Sequence, residues 1–257
     1  MRILAFDTAT RATAAALWDS EAGDDGLQAR DDPAPGERPR HAACLLPSIV
    51  ELLQRASISW GDLDRIAVGV GPGTFTGLRI GVATAKALSR ACGVPLAGVS
   101  TLESLALGAA SHGAAPASHA GAPGADLPRA VVAVIDARRR EVFAAGWRLE
   151  GDRPVDGLSG AQQFLEPRAM APDELGRQLA ALGSSTLAVG DGAVEFRAVL
   201  ERSGASVPDD DSELHRVSAI HHCRLAVSLP AGAPDEIRPE YLRLPDAEIA
   251  LRATGSK

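Results

Sequence analysis

Two aspartates at corresponding positions are the residues of this sequence best suited to chemistry. Asp7 follows the apolar run ILAF, and Asp136 follows a similar run, VAVI. Carboxylates at the ends of two buried strands can hold a magnesium–nucleotide complex, because that ion prefers hard oxygen ligands. Either aspartate alone is more simply explained as the cap of the turn that follows its strand. Their corresponding positions favour a shared cleft.

A glycine-rich loop is the second candidate. The run GPGT at residues 71–74 joins an apolar strand to a helix that begins near Phe75, and Thr74 is suited to cap that helix. Free amides at a helix start favour an anion. The loop is neither a Walker A motif nor GxGxxG, because no Gly-Lys-Ser/Thr follows it. This absence disfavours a P-loop phosphotransferase.

The remaining reactive residue types form no recognisable catalytic or metal-binding pattern. The six histidines include neither HxxxH nor HExxH, and the adjacent His221 and His222 point in different directions on a predicted helix. No GxSxG elbow occurs. Cys44, Cys92 and Cys223 match no zinc spacing and no disulfide framework. We therefore predict no catalytic residue and no metal site in this chain.

Composition limits the partners of the chain. It has 257 residues, of which 46% are hydrophobic and 23% charged, as in ordinary globular proteins. The formal net charge of −7 makes it a poor candidate for gripping a nucleic-acid backbone by itself. It shows no leader peptide and no apolar run near the roughly 20 residues of a membrane span. We therefore expect a soluble, cytoplasmic protein.

An internal repeat indicates the elements that position the aspartates. ILAFDTATRATAAALW and VAVIDARRREVFAAGW align without a gap at an offset of 129, and each ends in a tryptophan eleven residues after the aspartate. The repeat predicts two related α/β halves, each opening with an Asp-ended hairpin. Two such halves resemble the two-lobed fold of actin, hexokinase and the heat-shock chaperone ATPases, with a mixed sheet and flanking helices in each lobe.

The same reasoning divides the chain into lobes and a linker. We assign residues 1–106 to the N-terminal lobe and residues 129–257 to the C-terminal lobe, whose late helix can return to the first lobe. The low-complexity run 107–128 is the predicted flexible linker. Residues 19–40, rich in Asp, Gly and Pro, are predicted to be a solvated loop.

Two helices of the first lobe carry apolar or small-residue stripes. The first, His41–Ala56, has leucines and isoleucine at helical spacing, and Pro47 must either kink it or begin it. The second, Phe75–Ala91, carries Gly77 and Gly81 one turn apart. Glycine inside a helix costs about 1 kcal/mol relative to alanine, so something must approach closely there. Packing against the sheet and a tight contact with another helix both remain open.

Several motifs, in order, resemble the TsaB (YeaZ) family. They are ILAFDTAT at the N-terminus, LLP after His41, GPGTFTGLRIGVATAKAL, VSTLE, DAR with EVF, GDG and PEYLR. The glycine-rich block is the most specific of them, and the resemblance spans nearly the whole chain. Residues 19–40 and 108–128 match poorly.

The resemblance implies a fold, a function and partners. TsaB proteins are subunits of the bacterial machinery that makes N6-threonylcarbamoyladenosine beside the anticodon of tRNAs reading codons that begin with A. It implies an actin-like (ASKHA, ribonuclease H-like) fold and a non-catalytic role, pairing with the catalytic paralogue TsaD and the ATPase TsaE. This chain would then need no cofactor, the complex would use ATP, and tRNA would be reached through the complex. Whether the chain forms a homodimer alone is left open.

The family's pairing surface uses helices of the N-terminal lobe. The residues this implies for the partner interface are Leu45, Leu46, Ile49, Leu53, Gly77, Leu78, Gly81, Val82 and Ala85. On this assignment, Ile49→Asp or Gly81→Arg abolishes partner binding and leaves the monomer folded.

The first loop departs from phosphate-gripping actin-like ATPases. It reads Asp-Thr-Ala-Thr and lacks the glycine of Asp-x-Gly-Thr, so the methyl group of Ala9 obstructs a phosphate. The candidate nucleotide contacts are therefore those of a vestigial cleft: Asp7, Thr8, Gly71, Gly73 and Asp136. The alternative hypothesis is a stand-alone actin-like ATPase or transferase that uses the two aspartates.

Overall fold

The structure, a computed structural model, describes residues 1–22, 26–34, 36–112, 128–149, 158 and 160–243. The elements of the N-terminal lobe are β1 (Arg2–Asp7), β2 (Thr13–Asp19), β3 (Leu27–Asp31), α1 (His41–Ala56), β4 (Arg65–Gly71), α2 (Phe75–Cys92), β5 (Leu96–Ser100) and α3 (Thr101–His112). Their strands form one sheet in the order β3-β2-β1-β4-β5.

The C-terminal lobe repeats this arrangement. Its elements are β6 (Ala130–Arg138), β7 (Glu141–Arg148), β8 (Gln162–Met170), α4 (Pro172–Leu182), β9 (Thr186–Val189), α5 (Asp191–Glu195), α6 (Arg197–Arg202), β10 (Ala205–Ser206) and α7 (Ala219–Ala226). The strand order is β8-β7-β6-β9-β10. None of the helices in the described ranges is long and apolar enough to cross a membrane.

The two sheets share one topology, which confirms the predicted duplication and fold class. In each, the first three strands form an antiparallel meander, and the first strand continues in parallel into the last two. The gapless sequence alignment matches the first strands of the two hairpins, but in the second strands it differs by one residue from the pairing in the structure. Asp7 lies opposite Ala14, whereas Asp136 lies opposite Val142, because the second turn is one residue shorter.

The lobes exchange their last helices. Leu105 and Ala109 of α3 belong to the core of the C-terminal lobe, and Ile220 and Cys223 of α7 belong to a core of the N-terminal lobe. Each helix therefore buries its apolar side chains against the sheet of the other lobe, and this packing joins the two halves.

Two predicted loops contain regular structure. α3 continues to His112, so the prediction that the linker begins at residue 107 is wrong. Leu107 and Ala110 are buried, and the low-complexity run is alanine-rich, a composition that favours a helix. Residues 113–127 of the predicted linker lie outside the described part of the chain. The predicted loop 19–40 contains β3, which pairs with β2.

The helix α1 begins at His41, six residues before Pro47, so the alternative in which proline starts the helix is wrong. Pro47 and Ala43, four residues before it, are both exposed. The Ala43 carbonyl, which has no proline N–H to bond in the next turn, therefore lies on the solvent side of the helix.

The predicted interface residues lie almost entirely inside the N-terminal lobe. Six of them are at most 5% exposed: Leu45, Ile49, Leu53, Leu78, Val82 and Ala85. Gly77 and Gly81 are buried as well. Because a partner cannot contact side chains packed in the core, the interface assignment is wrong for these eight residues. Leu46, 46% exposed, is the one that remains.

We expect Ile49→Asp to unfold the lobe, contrary to the expectation that the monomer stays folded. The change places a carboxylate in a fully buried site and should lower the free energy of unfolding by at least about 3 kcal/mol. Val50→Asp is the matched control, since Val50 is the next residue and is 41% exposed. Urea denaturation followed by circular dichroism measures both. Equal stability of the two variants would contradict the assignment of Ile49 to the core.

Candidate functional site

Asp7 lies at the end of β1 and is 1% exposed. Its Oδ2 atom accepts hydrogen bonds from Thr101 Oγ1 at 2.8 Å and from His222 Nε2 at 2.9 Å. Its Oδ1 atom accepts one from the amide of Ala9 at 2.6 Å. The carboxylate of the predicted cleft is thus surrounded by protein donors from the turn after β1, from α3 and from α7.

The hydrogen-bonded chain continues from His222 to Ser104. His222 Nδ1 lies 2.7 Å from Ser104 Oγ, and both side chains are 0% exposed. The order Ser–His–Asp is that of a hydrolase triad, but no substrate can reach a hydroxyl that is fully buried. The arrangement therefore connects elements instead of presenting a nucleophile: α3 supplies Ser104, α7 supplies His222, and β1 supplies Asp7.

The surroundings of Asp7 favour its charged form. Burial alone would raise the pKa of this carboxyl, but the hydrogen bond from His222 and the electrostatic attraction between the two side chains oppose that effect. The amide of Ala9 and the hydroxyl of Thr101 add to the opposition, and the resulting pKa lies below the ordinary aspartate value. Asp7 is therefore an ionised group whose hydrogen-bonding capacity is used within the chain.

Glycines bring the turn after Asp7 into contact with α2. A Cβ at Gly77 would lie 1.9 Å from the carbonyl oxygen of Thr8, and one at Gly81 would lie 2.4 Å from Thr8 Oγ1. Thr8 Oγ1 also donates to the Gly77 carbonyl at 2.7 Å. The small-residue strip thus serves close packing within the lobe, and its contact is a backbone turn. Neither of the two alternatives that the sequence left open, the sheet or another helix, describes this contact.

The glycine-rich loop also packs against the turn after Asp7. The Thr74 amide, at the start of α2, donates to the Ala9 carbonyl at 2.7 Å. A Cβ at Gly73 would lie 2.4 Å from that same oxygen, and one at Gly71 would lie 3.0 Å from the carbonyl oxygen of Glu240. An amide that was expected to receive an anion is therefore bonded to the first turn, whose alanine also occupies the space beside Gly73.

Asp136 makes its contacts within its own lobe. Its carboxylate accepts from the Arg138 amide at 2.8 Å and pairs with the Arg138 guanidinium at 3.0 Å. Its own amide donates to Asp191 at 3.0 Å. Among the described residues Asp136 and Asp7 share no hydrogen-bond partner. For Asp136, the simpler interpretation as a turn-capping residue describes what the structure shows.

Two cavities lie beside the lobe contact, and neither is lined by the five predicted nucleotide contacts. One of about 310 Å³ lies between Thr10–Ala12 and α5. The other, of about 480 Å³, is lined by Arg30, Arg216 and residues of α3 and α7. Within the described ranges no three His, Cys, Asp or Glu side chains converge as metal ligands would.

Sequence reasoning missed His222, Thr101 and Ser104. His222 follows Asp7 by 215 residues and was set aside as half of a poor ligand pair. A local motif cannot report a contact between β1 and α7, because the contact depends on the exchange of helices between lobes. The available signal is that His222 lies in a helix with apolar neighbours such as Ile220, Cys223 and Ala226, because a histidine buried among them needs a hydrogen-bond partner.

The chain is similar in sequence to proteins of one tRNA modification system. Residues 37–169 match the family described as "TsaD: tRNA N6-adenosine threonylcarbamoyltransferase". The chain is 30% identical over 245 residues to the tRNA threonylcarbamoyladenosine biosynthesis protein TsaB of Escherichia coli (strain K12), covering 95% of each. It is 46% identical over 65 residues to a tRNA N6-adenosine threonylcarbamoyltransferase of Geotalea uraniireducens, covering 25% of this chain and 19% of that relative.

The fold is also similar to that of a solved protein structure. YeaZ from Pseudomonas aeruginosa superimposes with a TM-score of 0.71 at 26% sequence identity, covering 94% of this chain and 99% of that one.

We expect Asp7→Asn to destabilise the protein by about 3–5 kcal/mol at neutral pH, because it leaves a buried pair with one partner. Asp136→Asn is the control, because the partner of Asp136 is the exposed side chain of Arg138, and loss of this pair should cost less than about 1 kcal/mol. Urea unfolding of both variants measures the difference.

The effect of Asp7 should also depend on pH. The pKa of Asp7 in the folded state is below the unfolded value of about 3.9, so the ionised Asp7 contributes fully to the free energy of unfolding above about pH 4. That contribution is lost as the pH falls through the lowered folded pKa. The difference in free energy of unfolding between wild type and Asp7→Asn should therefore become smaller below pH 4. A gap that is constant at all pH values would contradict an ionised Asp7.

Proposed function

The chain belongs to the TsaB family of tRNA threonylcarbamoyladenosine biosynthesis proteins, and from that premise we propose that it is the non-catalytic, activating subunit of a complex. In this proposal a TsaD-type paralogue performs threonylcarbamoyl transfer and a TsaE-type ATPase uses ATP. This subunit needs no cofactor of its own, works in the cytoplasm and reaches tRNA through the complex.

The state of Asp7 is the observation that carries the non-catalytic role. A stand-alone actin-like ATPase or transferase would need this carboxylate open toward a magnesium–nucleotide complex. Here it is 1% exposed and accepts hydrogen bonds from Ala9, Thr101 and His222. Opening it would separate α3 and α7 from β1. A phosphate would also meet Ala9, packed against Gly73.

Calorimetric titration of the isolated chain with ATP and magnesium tests this role. We expect no heat of binding at millimolar concentrations of ATP and no release of phosphate, because neither the Asp7 carboxylate nor the glycine-rich loop is accessible to a nucleotide. A TsaE-type ATPase titrated under the same conditions is the positive control. Tight binding accompanied by turnover would contradict the proposal and favour the stand-alone enzyme.

Similarity to the transferase supports pairing with a paralogue. The matches to the TsaD family and to the Geotalea transferase indicate that part of this chain shares ancestry with such an enzyme. Related folds can pair through equivalent surfaces, as two copies of one chain do about a two-fold axis. A TsaD-type protein is therefore a natural partner for this chain.

The outer face of α1 is the surface that suits such a partner. Leu46 and Val50 lie one turn apart on this helix and are 46% and 41% exposed. Pro47, beside them, is exposed as well. Ala83 and Ala87 provide small exposed positions one turn apart on the neighbouring α2. Large apolar side chains exposed together favour association, so we propose this face, and not the buried stripes, as the partner interface.

We expect Val50→Asp to lower affinity for the TsaD-type partner at least about tenfold, because a charge enters an apolar contact. Val227→Asp is the matched control, since Val227 is 42% exposed at the end of α7, away from this face. Co-purification and biolayer interferometry measure binding, and thermal melts verify that both variants fold. Equal binding by the two variants would refute the α1 interface. Sedimentation of the same proteins shows whether a homodimer uses the same face.

A further inference from the structure

The PEYLR motif at residues 239–243 contacts both lobes. The Glu240 amide donates to the Val70 carbonyl near the end of β4 at 2.7 Å. The Tyr241 ring lies 5.1 Å from the ring of Phe75 at the start of α2, and the Tyr241 hydroxyl accepts a hydrogen bond from Arg79 Nε at 3.2 Å. These contacts attach the first part of the motif to the N-terminal lobe.

The next two residues of the motif contact the other lobe. Leu242 packs against the core cluster of the C-terminal lobe that includes Ile135 and Phe143. The Arg243 guanidinium donates to the Glu141 carboxylate at the start of β7 at 2.9 Å. Tyr241 and Leu242 are adjacent, so the chain passes from one lobe to the other between neighbouring residues.

The segment that leads to the motif is anchored on the N-terminal lobe. Gly232 and Leu96 of β5 exchange two backbone hydrogen bonds, of 3.1 and 3.3 Å. Asp235 then pairs with Arg90 in the last turn of α2, and Ile237 packs against the core of the same lobe. The motif therefore extends from a fixed segment on one lobe to the surface of the other.

The rest of the contact between the lobes leaves room for movement. The cavities of about 310 and 480 Å³ are each lined by residues of both lobes, whereas the interior of a lobe is close-packed. Between the lobes, α3 and α7 pack against each other and are joined by the hydrogen bond of Ser104 with His222. Lobes that meet in this way can rotate relative to each other.

We propose that residues 239–243 form an interlobe latch. When bound, the latch holds the lobes at a fixed angle, and when released it lets them rotate about the contact between α3 and α7. Release is feasible because Leu242 is only partly buried and Glu141, which pairs with Arg243, is 41% exposed. Contacts of this kind open at low free energy. The inference does not rest on the proposed function, because it concerns contacts within this chain.

Double electron–electron resonance between spin labels on the two lobes tests the latch in the full chain. Ala87→Cys on α2 and Ala180→Cys on α4 provide exposed attachment sites. Cys44→Ala and Cys92→Ala remove the two partly exposed native thiols, and Cys223 is fully buried. In this background we expect one main distance peak at low salt.

Two latch variants have a matched control in the same segment. We expect Glu141→Gln to raise the fraction of molecules outside the main peak by up to about fivefold, the range for loss of an exposed ion pair. Leu242→Ala removes apolar contact and should raise that fraction roughly tenfold. Arg90→Gln breaks the pair with Asp235 inside the N-terminal lobe and should leave the distances as in wild type. Thermal melts verify that each variant folds.

Salt gives a second measurement of the latch. At about 1 M salt the Debye length falls to about 3 Å, so the attraction between Arg243 and Glu141 is screened. The distances in the wild-type latch should then approach those of Glu141→Gln, whereas salt should change the distances in Glu141→Gln little.

Equal distance distributions for the wild-type latch and both latch variants would overturn the inference, as would an equal change caused by Arg90→Gln. If the latch variants leave the distances unchanged while Val50→Asp still disrupts partner binding, the proposed function survives and this inference alone is refuted.

Discussion

The buried contact between Asp7 and His222 fixes how the two lobes meet. Asp7 lies at the end of β1 and His222 lies on α7, so their hydrogen bond of 2.9 Å joins residues from near the two ends of the described chain. Taking two ionisable groups out of water is costly, and such a pair is poor evidence of stability by itself. Its effect is on arrangement, because the pair is satisfied only when α3 and α7 are both in place.

The neighbouring sequence follows from this contact. Gly69 must lack a side chain, since a Cβ there would lie 1.8 Å from Asp7 Oδ2. The turn after Asp7 then packs on Gly73, Gly77 and Gly81. The glycines that looked like a ligand loop and a partner strip thus accommodate one buried turn. The second lobe has the same topology without this constraint, and Asp136 pairs with an arginine of its own turn.

Much of the fold could be predicted from the sequence, because periodicity and repeats are local signals. Both aspartate-ended hairpins and the helices α1 and α2 were predicted at or near their bounds. It was harder to predict which helix faces are exposed. An apolar stripe such as Leu45–Leu53 indicates that one helix face is covered, but the sequence does not say whether the sheet or a partner covers it. The contact of Asp7 with His222 could not be predicted, because it depends on how α7 packs against β1.

We propose that this chain acts through a catalytic partner and performs no transfer itself. Reconstitution of threonylcarbamoyl transfer to tRNA from purified TsaD-type and TsaE-type proteins, with and without this chain, tests it most directly. We predict sustained modification of tRNA only when the chain is present with both partners, and none from the chain alone. Transfer by the chain alone, or unchanged activity of the partners when it is omitted, would contradict this role.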